Sequence, residues 1–184
     1  MNDLPPVTIS EVQKIIGSMP SKSSPLDYLP TTLLKSCSDV FAPIVCTLAN
    51  LSFSEGRFPT SFKLAQILPL LKKPGTDTDV PANYRPISNL NSLSKILEKL
   101  FSSRLKNHVK LSPNLNPFQS AYRQYHSTET ALLKILNDVY TSVDGKKITI
   151  LVSLDLSAAF DTLEHSTLLQ RLENTFGVSG QTLL

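Results

Sequence analysis

A chain of 184 residues is long enough to bury one core, roughly 70% of the surface its unfolded form would expose, and short for several independent domains. Eighteen Lys and Arg against 15 Asp and Glu leave +3, too mild by itself to name a polyanionic partner, and two cysteines are too few for a disulfide framework or a zinc pattern. Cys37 and Cys46 read as buried free thiols with no disulfide-linked partner, Met1 to Pro6 lacks the regions of a signal peptide, and no apolar run approaches the ~18 residues of a membrane span. A soluble intracellular protein, nuclear or cytoplasmic and not secreted, is the expectation.

In chain order, Thr8-Ile-Ser-Glu11 fits a capping box, with Val12, Ile15, Ile16 and Met19 following at helical spacing, so a helix is predicted over 8–18. Ser21 to Pro30 is turn chemistry, and a second helix should start at Pro30. The third, about 41–54, is apolar nearly all round, which predicts core, and Glu55-Gly56 stops it. Phe58 to Lys63 reads as a short helical turn. Ala65 to Lys73 reads as a strand that Pro69 confines to an edge or a bulge. Pro74-Gly75 turns the chain into a polar loop ending at Tyr84-Arg85-Pro86-Ile87. There an Arg beside a rigid Pro lies a dozen residues after the Lys72-Lys73 pair, across a turn. Those three cations could meet on one triphosphate; Arg85 paired with a carboxylate of the fold is the other reading.

Leu93, Ile96, Leu97, Leu100, Phe101 and Leu105 form a helical stripe directed to the core, with Lys95, Lys99, Arg104 and Lys106 around it. From Arg57 to Lys110, ten basic residues face three acidic ones, which suits a polyanion as well as it suits a solvated helix face. A Pro/Asn loop over 111–117 leads to Phe118-Gln-Ser-Ala-Tyr-Arg123, and Ser127-Thr-Glu129 starts a helix over 128–143 that Asp144-Gly145 ends. Ile148 to Leu154, seven mostly β-branched or apolar residues, predicts a buried strand. Asp155 ends it. A carboxylate there needs a cation or a cleft rim, either as a cap of the following turn and helix or as a metal ligand. A further amphipathic helix is predicted over 164–172, with Asp161 fixing its start.

Four segments in this order resemble the reverse-transcriptase domain of non-LTR (LINE-like, jockey-type) retrotransposons. They are Ile67 to Gly75; Asn83 to Ser88 with Lys95 to Glu98; Phe118 to Arg123 with His126 to Thr130; and Leu154 to Asp161 with His165. Ala121 stands where that family usually has Gly, Leu26 where Gly is common and Glu164 where Asp is common. The resemblance runs from about residue 8 to the end.

It implies an α+β fold, a partial polymerase right hand made of fingers and the first palm strand. A helical N-terminal extension over 1–56 would precede a reverse-transcriptase part over 57–184. It also implies RNA-directed DNA polymerase activity in the complete protein, adding dNTPs to a DNA primer on an RNA template with two Mg2+ ions. Asp155 becomes the catalytic carboxylate and first metal ligand, with the Leu156 carbonyl a further ligand. Phe160 stands against the sugar 2′ position, Lys72 or Lys73 and Arg85 grip the triphosphate, and Gln119 and Arg123 lie near template or primer. The family's partner carboxylates sit in a downstream Asp-Asp hairpin, and this sequence holds no Asp-Asp pair. The chain alone is therefore expected to be inactive in primer extension, with no membrane partner. The alternative is a catalytically dead remnant that at most binds nucleic acid through its basic block.

Overall fold

The computed structural model describes residues 1–156 and 159–183; Ser157 and Ala158 of the Leu154 to Asp161 motif, and Leu184, lie outside the described residues. Helix α1 (Ile9–Ser18) opens on the predicted capping box. The Glu11 N–H donates to the Thr8 hydroxyl, and the Thr8 N–H donates at 2.9 Å to the Glu11 carboxylate. Val12 and Ile16 are fully buried on its inner face. A short α2 (Thr31–Ser36) follows, with Pro30 just outside it as the N-cap and not within its first turn. Helix α3 (Ser38–Glu55) stops where Gly56 adopts φ +62°, a left-handed geometry that glycine enters without a Cβ clash. Only one face of α3 is core. Ala42, Val45, Cys46 and Ala49 are buried, whereas Val40, Ile44 and Leu51 are more than half exposed. The all-round burial expected from its composition is corrected accordingly.

Helix α4 (Ser92–Leu111) completes the core with Ile96, Leu97 and Leu100. Truncating such a buried Leu or Ile to Ala typically costs on the order of 2–5 kcal/mol. Asn91 caps the helix, accepting from the Ser94 N–H at 2.7 Å. The polar turn before α2 is held to the same end: Asp27 accepts from the Ser92 N–H and from the Ser92 hydroxyl. The buried cluster draws on the segment from Val7 to Ala49 and on Ile96, Leu97 and Leu100 of α4.

The only sheet among the described residues is a two-stranded antiparallel hairpin of β1 (Ala65–Leu71) and β2 (Tyr84–Leu90). Tyr84-Arg-Pro-Ile is thus a strand. Its register pairs Leu70 with Arg85 and Pro69 with Pro86. The Lys72 N–H donates at 2.8 Å to the Asn83 carbonyl, directly opposite in the same register. Alternation then makes Leu70–Arg85 a hydrogen-bonded pair and Pro69–Pro86 a non-hydrogen-bonded one. Two prolines fit because neither position needs an inward N–H, and each removes a donor from an outer edge.

Helix α5 (Thr128–Asp144) starts at Ser127, which accepts from the Thr130 N–H, and buries no residue. It ends at Gly145, but the left-handed geometry falls on the next residue, Lys146, at φ +54°. The segment 148–156 is the main correction to the sequence reading. It has no regular secondary structure and joins no sheet among the described residues, and Ile148 and Leu154 are 92% and 89% exposed. A strand exists only where a neighbour accepts its ladder, and among the described residues no backbone hydrogen bond reaches this segment.

Helix α6 (His165–Phe176) takes Glu164, not Asp161, as its N-cap. The Ser166 hydroxyl, and then the Thr167 hydroxyl, hold the Glu164 carboxyl below the usual carboxylate range. His108 of α4 donates to the Phe176 carbonyl at 2.6 Å, and the Met1 amino group donates to the Gly177 carbonyl. These bonds fasten the C-terminal end of α6 to the helical layer. No helix among the described residues is long and apolar enough to cross a membrane.

Candidate functional site

Hairpin pairing decides which of the cations can share a ligand. Cross-strand partners lie on one face and alternate residues return to it, so Leu68, Leu70, Lys72, Arg85 and Ile87 project together. On the opposite face, Ile67, Pro69, Tyr84 and Pro86 line a recess under the 78–81 loop, and the Tyr84 hydroxyl donates to the Thr78 carbonyl at 3.0 Å. The loop therefore covers one side of the ribbon, away from Lys72 and Arg85. Lys72 donates to the Ala82 carbonyl at 2.7 Å, which fixes its position at the tip and leaves two of its three protons available. Arg85 is exposed and, among the described residues, has no carboxylate or other hydrogen-bond partner. Its pairing with an acid of the fold, the competing reading, does not occur there. Lys73 lies in the turn, where its carbonyl accepts from the Thr76 hydroxyl.

Asp155 stands exposed in the 148–156 segment, with no hydrogen bond or ion pair among the described residues. The N-cap of α6 is Glu164 and not Asp155. Leu156 and Phe160 beside it are 79% and 81% exposed. The structure joins Lys72 to Arg85 on one face; it makes no ion pair between Asp155 and either of them. Gln119 and Arg123 are brought together within one loop. Arg123 donates to the Pro117 carbonyl at 2.9 Å and the Gln119 carbonyl at 3.3 Å, and the Gln119 amide donates to the Ala121 carbonyl at 3.3 Å. Tyr122 and Tyr125 of that loop take φ near +60°, unusual for residues with a Cβ, and both rings are exposed.

A hard cation such as Mg2+ needs several oxygen donors around it. Asp155 and the Leu156 carbonyl are donors of the right kind, but no three His, Cys, Asp or Glu side chains converge among the described residues. The residues present do not make a complete metal site.

Residues 71–182 match the family model described as "Reverse transcriptase (RNA-dependent DNA polymerase)", well over half of the chain. The chain belongs to the reverse transcriptase family. Similar proteins carry the same description. A "Probable RNA-directed DNA polymerase from transposon BS" of Drosophila melanogaster is 31% identical over 172 residues, covering 93% of this chain and 19% of that protein. The "RNA-directed DNA polymerase from mobile element jockey" of the same organism is 31% identical over 171 residues, covering 92% and 19%. Its counterpart in Drosophila funebris is 28% identical over 170 residues, covering 92% and 18%. The chain thus spans about a fifth of the length of these curated relatives. The jockey-type resemblance drawn from the four motifs holds, and the mixed helical and small-sheet architecture is compatible with part of a reverse transcriptase domain.

Sequence reasoning missed Arg104 and Asp27. Arg104 is 9% exposed and donates to the Pro5, Pro6 and Leu100 carbonyls and to Glu11, so it belongs to the fold and not to the free basic block. Its place four residues after Leu100 on the apolar stripe was the available signal. For Asp27, a turn acid 65 residues from its partner, the sequence carried none.

Proposed function

We propose that this chain supplies the fingers and the start of the palm of a template-directed DNA polymerase, acting on an RNA template, a DNA primer and dNTPs. The register that sets Lys72 and Arg85 on one open face of the hairpin carries the reading. An unpaired, planar guanidinium beside an ammonium suits the oxygens of a triphosphate, where each charge-assisted bond is worth roughly 1.5–3 kcal/mol. Lys73 at the tip is the third candidate cation. Asp155 is the one catalytic carboxylate this chain offers, with the Leu156 carbonyl next to it. In the complete polymerase two Mg2+ ions would offset charge on the attacking 3′-oxygen and the leaving pyrophosphate. Phe160 is proposed to stand against the sugar 2′ position, and Gln119 and Arg123 near template or primer. The division into a helical extension over 1–56 and a polymerase part over 57–184, and a nuclear or cytoplasmic location, belong to the same reading.

Titration of the chain with a fluorescent dNTP tests the grip. Arg85→Gln should weaken binding roughly ten- to a hundredfold and Lys72→Gln less, since Lys72 also serves the Ala82 carbonyl. Equal affinity in all three proteins would refute the assignment. The second reading, a non-catalytic remnant that only binds nucleic acid, is favoured by the lack of convergent carboxylates among the described residues.

A further inference from the structure

Helix α4 carries a second set of cations, of which only Lys95 touches the hairpin. Lys95, Lys99, Lys106 and Lys110 are spaced i, i+4, i+11 and i+15. At about 100° per residue they fall within roughly 60° of arc. Buried Ile96, Leu97, Leu100 and Arg104 occupy the other side, turned into the core. Lys99, Lys106 and Lys110 are exposed and, among the described residues, pair with no acid, while Lys95 donates to the Asn89 side chain at 3.0 Å.

Such a strip is costly for the helix. Lys95–Lys99 and Lys106–Lys110 are like charges one turn apart, which repel, and a polyanion laid along them removes the repulsion. The only acid on α4, Glu98, stands three residues from Lys95 at the edge of the strip and makes no ion pair among the described residues; Lys99, Lys106 and Lys110 have no acid one turn away on the helix. A solvated face made for solubility mixes signs; this one does not.

The chemistry of the strip selects its ligand. A helix lying on a membrane turns an apolar face to lipid, but the apolar face of α4 is already consumed by the core. Between the lysines Ser102 and Ser103 flank the strip on either side, with no aromatic ring on it on which an unpaired base could stack. Lys95 to Lys110 spans about 22 Å at 1.5 Å per residue. That length is comparable with a run of a few successive phosphates on one strand of a duplex. We propose that this lysine strip is a track for one phosphate backbone of a nucleic-acid duplex, separate from the triphosphate grip. The choice of nucleic acid rests on the polymerase reading; the geometry of the track does not.

The test is anisotropy of a short labelled RNA–DNA hybrid against the full chain across a salt series. It compares wild type with the exposed triple variant Lys99→Gln, Lys106→Gln, Lys110→Gln and with Arg85→Gln, each checked for native helicity by circular dichroism. The triple variant should bind more than tenfold more weakly, with a log–log salt slope shallower by about 2 to 3, while Arg85→Gln changes the slope by less than about one. A triple variant with wild-type affinity and slope, or a wild type showing no salt-dependent hybrid binding, would overturn the track. Should the triple variant lose hybrid binding while Arg85 proves irrelevant to dNTP binding, the track stands and the polymerase reading falls. Lost dNTP binding in Arg85→Gln beside an unaltered triple variant gives the converse.

Discussion

One buried cation fastens the segment leading into α1. Arg104 stacks 5.8 Å from the Phe53 ring centroid and spends its protons on two proline carbonyls, Leu100 and Glu11, so residues 5–11 are tied to α4 through one guanidinium. Replacing it with Met keeps much of the packing volume but strands those acceptors, and urea unfolding should show a loss of about 2–4 kcal/mol; a loss near zero would mean the strap is held otherwise. Glu11 gives the same contact a pH signature. The Thr8 backbone N–H, followed by Arg104, lowers its pKa despite an opposing desolvation effect. A depressed folded value contributes stability above the unfolded glutamate pKa of about 4.3 that disappears as pH falls through the folded value. Glu11→Gln should therefore flatten the acid limb of Tm against pH, an effect reduced by the partial exposure of Glu11. An unchanged acid limb would remove Glu11 from the account.

Among the elements, the hairpin is where backbone chemistry and function meet most closely. Its two prolines sit opposite each other at a pair that needs no inward donor, whereas Leu70 and Arg85 exchange ladder bonds. Pro69→Val should leave the ribbon formed, and Leu70→Pro should break it next to Arg85. Amide exchange at Lys72 would report the difference, and equal protection in both variants would contradict the register. How far such elements could be read from sequence follows from what each depends on. Capping boxes and the α4 stripe are local patterns, so Thr8 with Glu11, Ser127, and Leu93 to Leu105 were legible. β2 was not read as a strand because its Pro86 counts against one unless the facing residue is known. The segment 148–154 was read as buried on its β-branched character, and that character says nothing about whether a neighbouring strand is there to pair with it. The lysine strip was visible only as charge around a helix until the buried face fixed the rotation of α4.

At the level of the whole molecule, packing and chemistry are unevenly distributed. α1 to α4 share one core, while α5 and the 148–156 segment expose Leu132, Leu133, Tyr140, Ile150 and Leu151. The order of four motifs carries the family resemblance and the match over residues 71–182 shows the membership, both properties of the sequence; the roles of individual residues depend on geometry that the motifs alone do not carry. Because Asp155 brings one carboxylate where a hard-metal site needs several, stability of a nucleic-acid complex is a better readout than extended product. The decisive measurement is retention of a primer–template hybrid by the chain with and without the next complementary dNTP, in wild type and Asp155→Ala. The account predicts tighter retention with the dNTP in wild type and loss of that gain in Asp155→Ala. Binding that responds to salt but not to the dNTP, identical in the two proteins, would contradict it.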